Sequence, residues 1–256
     1  MSHRWLAIGA LAVVAAGSAA VAGWYLLRRD VAEPASIAAA VAAFREEQAA
    51  GAVKRSPIAA GVYVYATNGF ERTDALGGAT HTYPSRSTIT VTTDPCGVRL
   101  RWDVLRGRFT TWTVCVGDKM WLQRTRDERH TFFGIGDQTT YTCTGTPFRP
   151  LGGAAGSTFA VACATGSATE RGHGRVLPCE TAPVGASSVG CAHVRTRTTF
   201  AGDTRGSASY DFWLARDTGL PLRVAMRSRT TNGSPIGDVH YEEDVTLALT
   251  SSTPRR

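Results

Sequence analysis

Residues 98–104 read Val-Arg-Leu-Arg-Trp-Asp-Val, and this alternation limits the fold more than any other feature of the chain. Successive side chains of a strand point to opposite faces. Val98, Leu100, Trp102 and Val104 therefore share one face, and Arg99, Arg101 and Asp103 take the other. A helix cannot segregate that pattern. The same period returns in Leu220, Leu222, Val224 and Met226, and again in Val239, Tyr241, Val245, Leu247 and Leu249. From Ile58 onward Thr, Val, Tyr, Trp and Arg dominate. Turn pairs at Arg106-Gly107, Gly117-Asp118, Gly202-Asp203 and Asn232-Gly233 punctuate the runs. Roughly ten strands are expected. Spaced so closely, they pair antiparallel, and a polar face on each predicts a single curved sheet or an open barrel. Two stretches break the rhythm: 144–157 reads as a long loop and 71–85 as an irregular crossover.

The first thirty residues belong to a different solvent. No charge interrupts Trp5 to Leu27, and Arg4, Arg28 and Arg29 flank the run. A helix needs roughly 20 apolar residues to cross a bilayer core of about 30 Å. Trp5, Trp24 and Tyr25 sit where interfacial aromatics belong. A single-pass anchor is predicted over 1–30. The competing reading is a signal peptide cleaved after Ala20-Val21-Ala22, but Trp24 to Leu27 continue the apolar run beyond that point. After the anchor, Ile37, Val41, Phe44 and Gln48 fall at helical spacing behind Ser36, a residue suited to an N-cap. A short Ala-rich helix over 37–50 follows, then a linker to Pro57, the β domain over 58–250 and a tail over 251–256.

All six cysteines (Cys96, Cys115, Cys143, Cys163, Cys179 and Cys191) lie in the β domain, and none forms a C-x-x-C pair. That arrangement reads as disulfides rather than a zinc site. Six cysteines allow fifteen connectivities. Sequential neighbours are expected, because each pair flanks a turn-like stretch: 96 with 115, 143 with 163, 179 with 191. Disulfides persist outside the cytosol, which places the C-terminal domain on the extracytoplasmic side of the cell membrane. The net charge is +7, but Arg4, Arg28, Arg29, Arg255 and Arg256 supply five of those charges. No basic block with interleaved aromatics remains, so a nucleic-acid partner is not expected.

The stretch Asp217-Thr218-Gly219 matches the tripeptide of aspartic proteases, which need two such aspartates sharing a proton. The chain holds no second D-[ST]-G, and Arg216 precedes the aspartate. Asp217 and Gly219 are favoured turn residues and Pro221 suits the start of the next strand, so a corner between strands is expected. The six histidines show no H-x-x-x-H or H-x-H spacing, and His240 in "HYEED" reads as part of a solvated strand face. Gly185 to Gly190 lacks the spacing of a nucleophile elbow. Asn232-Gly233-Ser234 matches a glycosylation sequon, but a hairpin turn explains it. No metal, cofactor or catalytic residue is predicted. Trp102, Trp112, Trp121, Phe132, Phe133, Phe212 and Trp213 are placed on strands, where they either fill a core or line a concave face for an apolar ligand.

The segment "SASYDFWLARDTGLPLRVAMRSRT" resembles the aromatic strand, corner and basic strand of the lipoprotein-carrier superfamily, of the LolA, LolB and LppX types and the RseB-like sensors. In that pattern a Trp-containing strand leads to a TGLP corner, and the next strand carries a basic residue, here Arg223. The stretch 61–84 also looks like the opening of membrane-anchored proteins of high-GC Gram-positive bacteria. The resemblance implies an antiparallel half-barrel with an apolar cavity. It also implies non-catalytic binding of a lipid or lipoprotein acyl chain, for transport or sensing. Leu100, Trp102, Val104, Phe212, Leu214, Leu222 and Val224 are the expected lining. The chain departs from the family in lacking a lipobox cysteine and in carrying six cysteines. A second reading is a cell-envelope scaffold domain without a small-molecule ligand.

Overall fold

The computed structural model describes residues 30–50, 56–117, 120–145, 151–234 and 237–256. The predicted anchor lies outside them. Among the described residues no helix is long and apolar enough to cross a membrane. The Ala-rich helix is present as α1 (Ile37–Ala50). Ser36 caps it as expected: the Ala39 N–H donates to Ser36 Oγ at 3.2 Å. Its one buried side chain, Phe44, lies on the face shared by Ile37 and Val41.

Among the described residues fourteen strands follow in one sheet, all paired antiparallel, rather than the roughly ten expected. They are β1 (Gly61–Thr73), β2 (Ala79–Thr82), β3 (Arg86–Asp94), β4 (Gly97–Leu105), β5 (Arg108–Gly117), β6 (Met120–Phe132) and β7 (Ile135–Cys143). The second half holds β8 (Thr158–Ala164), β9 (Ala168–Leu177), β10 (Thr181–Val184), β11 (Ser187–Gly202), β12 (Thr204–Ala215), β13 (Pro221–Ser234) and β14 (Gly237–Leu249). The additional strands escape a pattern count because β2 and β10 are four residues long. The first half of β7 is exposed and carries no alternation.

The pairing order corrects the open architecture. It runs β11-β12-β13-β14-β1-β3-β4-β5-β6-β7-β8-β9, and β9 then pairs with β11 over Leu177–His193 to Ala168–Gly202. The ladder is a ring, which removes the two long edges that a half-barrel would expose. One joint is thin: among the described residues β7 and β8 share only the pairs Thr142↔Ala164 and Cys143↔Cys163, with one more bond from the Thr144 N–H to the Ala162 carbonyl at 2.7 Å. A disulfide joins the second pair, and the other two link Cys96 to Cys115 and Cys179 to Cys191, the sequential connectivity.

The ring is flattened. Trp112 on β5 meets Phe212 on β12, the opposite wall, edge to face at 6.0 Å between centroids. Arg108 on β5 likewise reaches Glu243 on β14. Inward-facing aromatics are large enough to close the space between the walls: Trp102, Tyr63 and Tyr65 are all fully buried.

Two turns fall where expected, at Arg106-Gly107 and at Gly202-Asp203, and Asp118 of the expected Gly117-Asp118 turn lies outside the described residues. Asn232-Gly233 does not turn. It continues β13, with Asn232 opposite Val239 and its Oδ1 accepting from Thr204 Oγ1 at 2.9 Å. Phe133 also leaves its strand, taking a positive φ of 55° in the β6–β7 turn.

Candidate ligand-binding site

Between the flattened walls, beside the thin β7–β8 joint, lies a cavity of about 100 Å³. Leu100 (β4), Trp112 and Val114 (β5), Trp121 (β6), Phe159 (β8), Val194 (β11) and Phe212 and Leu214 (β12) form its apolar wall. The period-two pattern put these residues inside, and ring closure brought both walls around one space. Of the seven residues expected to line a ligand site, Leu100, Phe212 and Leu214 face the cavity. Trp102, Val104, Leu222 and Val224 are buried in the surrounding core instead. The indole of Trp102 is fixed there by donating to Ser87 Oγ at 2.9 Å.

Sequence reasoning missed the polar floor of the cavity. Arg126 and Glu170 line it, only 3% and 1% exposed. Arg126 Nη1 lies 2.7 Å from Glu170 Oε2, its Nε pairs with Glu128, and its guanidinium lies 4.5 Å from the Tyr141 ring centroid. Thr198 Oγ1 donates to Glu170 at 2.7 Å. Burial raises the Glu128 carboxyl, but the Arg126 charge and a His130 hydrogen bond outweigh it and hold the carboxyl at about 2. Trp121 lines the cavity too, and its Nε1–H, buried beside Gly219, has no acceptor among the described residues.

From this floor a chain of buried charges runs to the N-terminal segment. His130 Nδ1 donates to Glu71 Oε2 at 2.9 Å, and His81 Nδ1 to Glu71 Oε1 at 3.0 Å. His81 Nε2 then reaches Asp30 Oδ2 at 2.8 Å. Arg108 clamps Glu243 through Nη2 at 2.8 and 2.9 Å and lies 3.6 Å from Glu71. Tyr83 also donates to Glu243. Burial opposes ionisation of Glu71, but hydrogen bonds from His130 and His81, with the charges of His130 and Arg108, bring it down to about 2. For both histidines burial works against the charged form and the neighbouring carboxylates overcome it, so both are raised above 6.5.

One signal could have found these residues: charge on an inward parity. Glu243 shares the parity of Val245 and Leu247, Arg108 that of Trp112, and Glu71 that of Tyr63 and Tyr65. In "HYEED", His240 and Glu242 do take the outward side, where His240 pairs with Asp74 at 2.7 Å. Asp217 occupies the exposed β12–β13 corner. There the Gly219 N–H donates to the Ala215 carbonyl at 2.7 Å, and Gly219 takes a φ of +80° that suits only glycine.

Compared with protein-family models, curated proteins and solved structures, the chain matches none.

Proposed function

We propose that this domain binds, without chemical turnover, the apolar end of an amphipathic molecule such as the acyl chain of a lipid or lipoprotein. In this reading the N-terminal segment holds it beside a membrane on the extracytoplasmic side. The observation that carries the reading is the apolar-walled cavity placed where the ring has its fewest strand pairs. Its size narrows the role. An apolar cavity of about 150 Å³ accommodates benzene, so a space of about 100 Å³ takes the tip of a chain and not its full length. At about 0.8 kcal/mol per buried methylene, four or so carbons contribute roughly 3 kcal/mol, a millimolar-class contact. Sensing a chain presented at the membrane fits that magnitude better than carrying one away.

The test is lipid analysis by native mass spectrometry on protein purified from membranes, with Leu214→Phe to fill the cavity. Bound lipid in the parent and its loss in a normally folded Leu214→Phe variant are expected. A parent that carries no lipid and does not quench on titration with a fluorescent fatty acid removes the reading. The scaffold reading would then stand on the outer edge of β7, whose residues Ile135 to Tyr141 have no strand partner on the β8 side among the described residues. Ile135 there is 64% exposed.

A further inference from the structure

The outer face of β9, β11, β12 and β13 carries a groove of about 720 Å³, on the other side of the sheet from the interior cavity. Strand register explains its shape. One row across the sheet reads Arg171, Thr199, Ser207, Arg229, and the next reads His173, Arg197, Ser209, Arg227. The small hydroxyl residues of β12 form the floor. Long cationic side chains stand on both sides of it. Rows two residues apart are spaced by about 6.7 Å, and neighbouring strands by about 4.8 Å. Cationic groups therefore repeat along the β12 direction on either flank of a hydroxyl-lined floor.

Acidic neighbours offset only one flank. Arg227 pairs with Asp244, and Arg229 with Glu242, each at 3.0 Å, while Glu242 also pairs with Arg72. The third groove carboxylate, Glu243, points inward to Arg108. On the other flank Arg171 and Arg197, both exposed, have no ion pair among the described residues. The groove thus holds an uncompensated pair of guanidiniums facing two compensated ones across serines.

We propose that this groove binds an extended polyanion bearing phosphate groups, laid along β12 with its charges between the two arginine flanks. Arginine recognises phosphate through paired N–H donors, and Ser207 and Ser209 offer hydroxyls to the same oxygens. Concavity argues for a chain over a membrane surface. A bilayer would touch the arginine tips at the rim and leave the serine floor empty.

Long-chain inorganic polyphosphate is the probe, with orthophosphate and phosphatidylglycerol vesicles as comparison arms, measured by calorimetry and co-sedimentation at two salt concentrations. Salt-sensitive polyphosphate binding is expected, weakened about tenfold in Arg171→Ala/Arg197→Ala. A charge-matched control, Arg86→Ala/Arg99→Ala on β3 and β4, should bind like the parent. Ser209→Leu, which raises the floor and keeps every charge, should also weaken binding. Equal losses in the two arginine double variants would mean attraction by net charge alone and would overturn the proposal. So would binding to vesicles without binding to polyphosphate, or no binding at all. Circular dichroism of each variant separates these outcomes from misfolding.

Discussion

Arg108 is only 2% exposed, yet it faces two carboxylates, Glu243 and Glu71. Its Nη1 donates to the Phe109 carbonyl at 2.7 Å and to Thr110 Oγ1 at 2.8 Å, and its guanidinium lies 5.1 Å from the Trp102 ring centroid. Removing one partner of a buried ion pair strands the other charge in a low dielectric. Arg108→Met should therefore destabilise the domain by about 3–5 kcal/mol, read as a lower urea midpoint. Arg108→Lys should recover little of the loss, because one ammonium cannot stand in both for Nη2 on Glu243 and for Nη1 on the Phe109 carbonyl and Thr110 Oγ1. Gly174 shows the opposite constraint. The Phe159 ring covers it across the β8–β9 pair, and a Cβ there would come within 1.9 Å of the ring. Gly174→Ala should push Phe159 off the cavity wall at a cost of about 1–3 kcal/mol, and should change the quenching of the cavity tryptophans by acrylamide. The type of each residue is plain in the sequence. The partner that gives Arg108 its role lies on a strand far away in the chain, and the one that constrains Gly174 lies on the preceding strand.

At the scale of elements, the β7–β8 joint should be the place where the ring opens first. Two residue pairs, the Thr144 N–H bond to the Ala162 carbonyl and the Cys143–Cys163 disulfide hold it among the described residues, whereas Cys96–Cys115 bridges β4 and β5, which already pair from Gly97 to Leu105. Replacing Cys143 and Cys163 by serine should cost about 2–5 kcal/mol. It should also speed amide exchange in β7 and β8 before β12, β13 or β14. Uniform acceleration throughout the sheet would show instead that the ring opens as one unit. The sequential disulfide pairing and α1 with its cap were both legible in the sequence, because each depends on neighbours within about twenty residues. The turn expected at Asn232-Gly233 was not: Thr204 and Val239 hold those residues in the ladder, and the pairing of long strands overrides a local turn preference.

At the scale of the molecule, the buried charge chain sets the pH of greatest stability. His81 and His130 are raised in the fold, so their contribution is fully present below about 6.5 and is lost as pH rises through their folded values. Glu71 and Glu128 are lowered from 4.5 to about 2, so theirs is present above 4.5 and is lost as pH falls toward 2. Both contributions hold together only between those limits. The melting temperature should therefore peak in weakly acidic solution and decline on the alkaline side. A His81→Gln/His130→Gln variant should flatten that alkaline limb. A parent profile that stays level from pH 5 to 9 would contradict the assignment.

The period-two pattern by itself determined an antiparallel β domain and which side of each strand is apolar, since alternation is a property of consecutive residues. The even cysteine count, without metal-ligand spacing, determined that the sheet is cross-linked. Tertiary structure alone decided that the sheet closes through β9 and β11 and flattens until Trp112 meets Phe212. That closure left a small cavity in place of a broad concave face. It also decided where charge collects. Arginines scattered from 171 to 229 form no basic run in the chain, yet antiparallel register sets them side by side. Glutamates hidden within apolar strands meet their arginines only across the interior. Alternation is fixed by bonds between neighbours, whereas the seam of β1 with β14 and the meeting of the two walls are fixed by contacts between residues a hundred or more positions apart.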